Sequence, residues 1–131
     1  MPWQFTSQQP IYVQIVEAIE QRIFSGGYGM GERLPSVREL ALEAAVNPNT
    51  MQRALSELEE RGLVSTQRNS GRTVTGDAEA IAKARGEKAA RLAAAYARDM
   101  EALGFTPDEA TAFLTKKEDT DGDDSDKHGA D

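Results

Sequence analysis

No cysteine occurs in the 131 residues, so neither a disulfide framework nor a thiolate metal site can form, and the chain suits a reducing compartment. The one histidine, His128, lies in an acidic run near the C-terminus. No Ser, Lys or carboxylate pair stands in a recognisable nucleophile or acid and base setting, so neither an enzyme nor a cofactor is expected. No apolar run approaches the roughly 20 residues of a membrane span, and the start lacks a charged segment followed by an apolar one. A soluble, cytoplasmic protein is expected. The length allows one compact domain of about 75 residues with a smaller appendage, and leaves little volume for a buried effector.

Positive charge is also short, with a formal net charge of −7. Divided by region, the deficit moves to one end. Residues 1–76 carry seven basic and eight acidic side chains, residues 77–117 seven of each, and residues 118–131 one Lys against seven acids. The last segment, nearly devoid of apolar side chains, is expected to be a disordered acidic tail. Asp119, Asp121 and Asp123 alternate there like the start of a calcium loop. However, Asp124 stands where such a loop needs glycine and no exiting helix follows, so no metal is expected.

What is present is a chain of helix and turn signals between residues 10 and 76. Ile11, Ile15, Ile19 and Ile23 recur every four residues, with Tyr12 and Val16 alongside, and predict a helix from about Pro10 to Phe24. Trp3 and Phe5 read as a strap on its core. The glycine-rich stretch from Ser25 to Gly31 reads as a connector, because no Lys-Ser or Lys-Thr follows it and no strand precedes it. Ser36 and Glu39 have the spacing of a capping box, which starts a helix carrying Val37, Leu40, Ala41 and Ala44 on one stripe. After a turn at Val46, Asn47 caps a second helix with Pro48 at its first position.

That second helix, from about Pro48 to Arg61, buries Met51, Ala54, Leu55 and Leu58 and stops at Gly62. Its outward face in the first two turns carries Asn49, Thr50, Gln52 and Arg53. Amide and guanidinium groups are the side chains that pair with purine edges in the major groove, and a helix N-terminus favours phosphate. Residues 63–67 and 72–75 are β-prone, with a turn cluster from Arg68 to Gly71 between them. A hairpin of this kind is a wing, and Arg68 and Arg72 flank its tip, suited to the DNA backbone.

These motifs in this order resemble the winged-helix domain of the GntR family of bacterial transcription regulators. The resemblance includes the opening Pro10 to Ile15, the run from Gly27 to Ser36 and the start of the helix at Asn47 to Thr50, and spans the first 76 residues. It implies that Arg38 touches phosphate, that Asn47, Asn49, Thr50, Gln52 and Arg53 touch bases and phosphates, and that the wing contributes Arg68 and Gly71. Asn69 departs from the pattern, standing where the family has a wing glycine. Ser36 and Arg72 are expected to join Arg38 and Arg68 on the DNA backbone. A winged helix can also serve as a protein-binding module without DNA binding, but that use calls for an apolar or acidic face where this chain carries Asn, Thr, Gln and Arg.

Beyond the wing, Asp77 to about Leu103 is rich in Ala, Glu, Lys and Arg and would extend about 40 Å as a helix. Gly104 ends it, and Thr106, Pro107 and Glu109 open a short helix through Phe113 and Leu114. So thin an apolar stripe on so long a helix needs a covering surface. A second copy is expected to cover it, through Ile81, Leu92, Tyr96, Met100, Leu103 and Phe113. A two-helix appendage of this size resembles that of the YtrA subgroup of GntR regulators, which implies dimerisation, repression and control of transporter genes. The expected fold is thus mainly α with a small β-hairpin wing: a winged helix-turn-helix at 1–76, a helical dimerisation region at 77–117 and the tail at 118–131. A homodimer reading an inverted repeat on double-stranded DNA follows from its symmetry.

Overall fold

The computed structural model describes residues 3–68 and 71–115. Its elements are α1 (Ile11–Ser25), α2 (Val37–Ala44), α3 (Pro48–Glu60), β1 (Val64–Gln67), β2 (Gly71–Val74) and α4 (Ala78–Ala102). A further helix, α5, covers residues 107–115. The acidic tail and its calcium-like spacing lie outside the described residues, as does Asn69.

The chain divides into two compact units, one up to Arg85 and one from Gly86. In the first, α1, α2 and α3 enclose one aliphatic core. Ile15, Val16, Ile19 and Ile23 of α1 meet Leu40, Ala41 and Ala44 of α2 and Met51, Ala54, Leu55 and Leu58 of α3. Leu34, Leu63, Val64 and Val74 close it from the hairpin side. Each fully buried aliphatic side chain contributes about 1.5–3 kcal/mol by leaving water. The first isoleucine of the α1 series, Ile11, is 37% exposed at the helix start and does not join this core. Trp3 and Phe5 do pack on it from outside, as a strap would.

β1 and β2 pair antiparallel, with Val64 opposite Val74 and Thr66 opposite Arg72. The far edge of β2 is occupied as well. Leu34 N–H donates to the Arg72 carbonyl at 2.9 Å, Val74 N–H to Glu32 at 2.9 Å, and Gly31 N–H to Val74 at 3.0 Å. The end of the glycine-rich connector therefore acts as a third, very short strand that ties the wing to the start of α2. Nothing in its composition signals a strand, because the pairing is set by its neighbours.

Ile81 and Ala84, in the first turns of α4, also pack against this core. Ile81, assigned above to a dimer face, is thus half-buried against the core of its own unit. The cause is its position within two turns of the wing, with Asp77 capping the helix start through the amides of Glu79 and Ala80.

The second unit pairs the rest of α4 with α5. Gly104 takes a left-handed φ of 97° to turn the chain, and Thr106 and Glu109 form the expected reciprocal cap. The Tyr96 hydroxyl donates to the Ala110 carbonyl at 2.7 Å, while Phe105 and Phe113 meet edge to face at 5.1 Å. Ala110 is buried at this contact, but Leu92, Leu103, Phe113 and Leu114 are exposed.

Candidate nucleic-acid interface

The site is built on two helix starts. At α2 the Ser36 hydroxyl accepts from the Glu39 amide at 3.0 Å, and the Ser36 amide donates to the Glu39 carboxylate at 2.9 Å. These hydrogen bonds from Ser36, first the backbone one and then the side-chain one, hold the Glu39 carboxyl below its ordinary value, with a smaller contribution from the charge of Arg33. Ser36 is therefore committed to the cap. Two residues on, Arg38 is exposed and has no ion pair among the described residues.

Between α2 and α3 the chain turns at Ala45, which adopts φ 58° and ψ 47°. Its amide donates to Leu42 and that of Val46 to Ala41, so the last carbonyls of α2 are satisfied within a few residues. At α3 the Asn47 side-chain oxygen accepts from the Asn49 amide at 2.7 Å, leaving its NH2 as the group able to meet a ligand. Asn49, Gln52 and Arg53 are exposed and Thr50 is half-buried, on the side of α3 away from Met51, Ala54, Leu55 and Leu58.

Arg53 has a neighbour that the periodicity of α3 does not reveal. Its guanidinium carbon lies 3.7 Å from the centroid of the Tyr12 ring. Ile11, Tyr12, Asn49, Thr50 and Arg53 together line a shallow groove of about 380 Å³ between the starts of α1 and α3. The only sign of it in the sequence is that Tyr12 falls off the isoleucine stripe of α1.

The two wing arginines differ. Arg68 is exposed, but the Arg72 side chain is only 16% exposed and its Nη2 lies 3.7 Å from Glu59 of α3. Thr66, opposite Arg72 in the hairpin, donates to the same carboxylate. Glu59 thus ties the wing to α3 through Thr66, with the Arg72 guanidinium beside the same carboxylate. Gly71 has φ 74°, with the Arg33 guanidinium 3.8 Å from where a Cβ would sit. Arg33 therefore lies between the wing and the first turn of α2, a placement that the linear spacing does not disclose.

Two other arginines of this unit, Arg22 and Arg61, are engaged in structural contacts. Arg61 bridges Glu20 and Glu57, and Arg22 sits over Trp3, hydrogen-bonds the Tyr28 hydroxyl and lies 4.0 Å from Glu43. Arg33, Arg38, Arg53 and Arg68 are left without a carboxylate partner within 4 Å among the described residues. No cluster of metal-ligating side chains occurs among those residues, and no helix there is long and apolar enough to cross a membrane.

The profile of the bacterial regulatory proteins of the gntR family matches residues 11–74. The chain is also 38% identical over 106 residues to the uncharacterised HTH-type transcriptional regulator YhcF of Bacillus subtilis, covering 81% of this chain and 88% of that protein. The chain belongs to the GntR family. Among other GntR-related proteins, the HTH-type transcriptional repressor YtrA of Bacillus subtilis is 40% identical over 72 residues, 55% of each chain. A GntR-family transcriptional regulator from Listeria monocytogenes superposes with a TM-score of 0.81 at 38% identity, over 86% of this chain and 98% of that one. The DNA-binding domain of AraR, solved in complex with the operator ORR3, superposes with a TM-score of 0.50 at 25% identity, over 57% of this chain and 90% of that one. GntR proteins are helix-turn-helix transcription regulators, and the present chain is one of them, not an enzyme.

Proposed function

We propose that this GntR regulator is a sequence-specific repressor that binds an inverted-repeat operator as a homodimer. The observation that carries the reading is the first half of α3. Asn49, Gln52 and Arg53 are exposed with hydrogen-bonding groups to offer, beside arginines that have no acidic partner. Asn49, Thr50, Gln52 and Arg53 read base edges in the major groove, while Arg38, Arg68 and Arg33 neutralise phosphates, with Ser36, Asn47 and Gly71 close to the backbone. Repression is the role named for YtrA, and transporter genes are the targets that the resemblance to its subgroup suggests. Dimerisation uses the apolar side chains that the second unit leaves uncovered, Leu92, Leu103 and Phe113, with the half-buried Tyr96 and Met100 beside them.

Selection of bound duplexes from a random library, followed by footprinting, tests the reading. It should recover an inverted repeat whose half-sites lie about one helical turn apart, roughly 34–36 Å. A chain that enriches no sequence at physiological ionic strength, or that enriches a single asymmetric half-site, would contradict it.

A further inference from the structure

Tyr12 and Arg53 come from different helices, yet their cation–ring contact is close, at 3.7 Å against 4.3 and 5.8 Å for Arg22 over Trp3 and Tyr28. The Arg22 contacts sit on a side chain that is almost fully buried. Arg53 is exposed, and an exposed arginine ordinarily samples many rotamers. A guanidinium laid on an aromatic face is restrained in direction but keeps its N–H donors at its edge, where hydrogen bonds are made. A carboxylate hydrogen-bonded to the guanidinium would have consumed those donors, as Glu20 and Glu57 do with Arg61. Ring contact is therefore the one restraint that leaves Arg53 ready to donate.

We propose that Tyr12 is a positioning residue for base readout: its ring holds the Arg53 guanidinium in place for bidentate donation to O6 and N7 of one guanine in each half-site. The proposal rests on α3 being the base-reading helix. Tyr12 itself touches no base in this arrangement. Its contribution is to lower the ordering cost that Arg53 meets when DNA binds.

The test uses the full chain on its library-selected duplex and on a random duplex, comparing Tyr12→Phe, Tyr12→Leu, Arg53→Lys and Arg53→Ala. Tyr12→Phe keeps the ring and should bind within about twofold of the unaltered chain. Tyr12→Leu should weaken binding to the selected duplex by about three- to tenfold, consistent with an exposed or partly exposed cation–ring contact, without weakening the random duplex. It should flatten preference at the same guanine that Arg53→Ala flattens. The salt slope of Tyr12→Leu should not change, since no charge is lost. In the free protein, the Arg53 Nε–Hε NMR signal should show restricted motion that Tyr12→Leu releases. Arg53→Lys is a surface change that cannot unsettle the core, so it should reproduce the loss of the guanine even where Tyr12→Leu fails to fold. Retained preference in Tyr12→Leu, equal losses on both duplexes, or flattening at a different base would overturn the role of Tyr12 while leaving α3 as the reading helix. An unaltered chain that prefers no sequence would overturn both.

Discussion

At the scale of single residues, formal charge is a poor guide to which arginines are available. Arg38, Arg53 and Arg72 look alike in the sequence, but Arg72 is drawn into Glu59 and Arg53 lies on Tyr12. Residue type and helical phase make Arg38, Asn49 and Arg53 legible as candidates, because they fall opposite the apolar stripes of their helices. Arg33 and Tyr12 are not legible this way, since their neighbours are distant in the chain. Replacing Arg38 by Ala should weaken binding on all duplexes and lower the magnitude of the salt slope by about 1–2 per dimer, as lost phosphate contacts do. Replacing Asn49 by Ala should cost about 1–3 kcal/mol on the selected duplex and little on a random one. Arg72→Met is expected to behave differently. It strands the Glu59 carboxylate with only Thr66, so urea denaturation should register a loss of stability, while the salt slope stays as it was. A slope reduced as strongly as in Arg38→Ala would instead return Arg72 to the DNA backbone.

At the scale of elements, the helices are the legible part. Capping boxes at Ser36 and Thr106, the Asn47 cap with Pro48 behind it, and the glycines after α3 and α4 mark boundaries within a residue or two of those observed. What local signals miss is the backbone that tertiary contacts dictate: the strand-like edge from Gly31 to Leu34 and the left-handed Ala45. Ala45 bears a conformation that glycine adopts without strain, at an exposed position that closes the turn before α3. Ala45→Gly should therefore stabilise the fold by about 0.5–1 kcal/mol in urea melts, less whatever glycine adds to the entropy of the unfolded chain. The Ser36 and Glu39 box carries a pH signature. The Glu39 carboxyl is held below its ordinary value in the folded state, so its contribution is present above the unfolded value and fades as pH falls through the lowered one. Glu39→Gln should accordingly remove part of the acid-side loss of stability, and a melt series below about pH 5 that matches the unaltered chain would assign that loss elsewhere.

At the scale of the whole molecule, the global charge of −7 and the local chemistry point in opposite directions until position is considered. The winged-helix unit is nearly neutral, and Glu20, Glu39, Glu43, Glu57 and Glu59 each answer a particular base or cap, which leaves a few arginines without an acid to face an anion. The two compact units also differ in kind. The first has a closed aliphatic core and needs nothing else to bury it, whereas no residue of α4 is fully buried, and Leu92 and Leu103 remain 60% and 72% exposed. A long Ala-rich helix with an uncovered leucine pair has too little intrachain packing to account for its order, which is the physical ground for a second copy. Leu92→Glu combined with Leu103→Asp should give a monomer in sedimentation experiments with the near-native circular dichroism of the winged helix. On an operator holding two half-sites, the variant should bind with the affinity of a single one, because the effective concentration supplied by the partner is gone. Dimers that persist in this variant would move the interface away from these leucines.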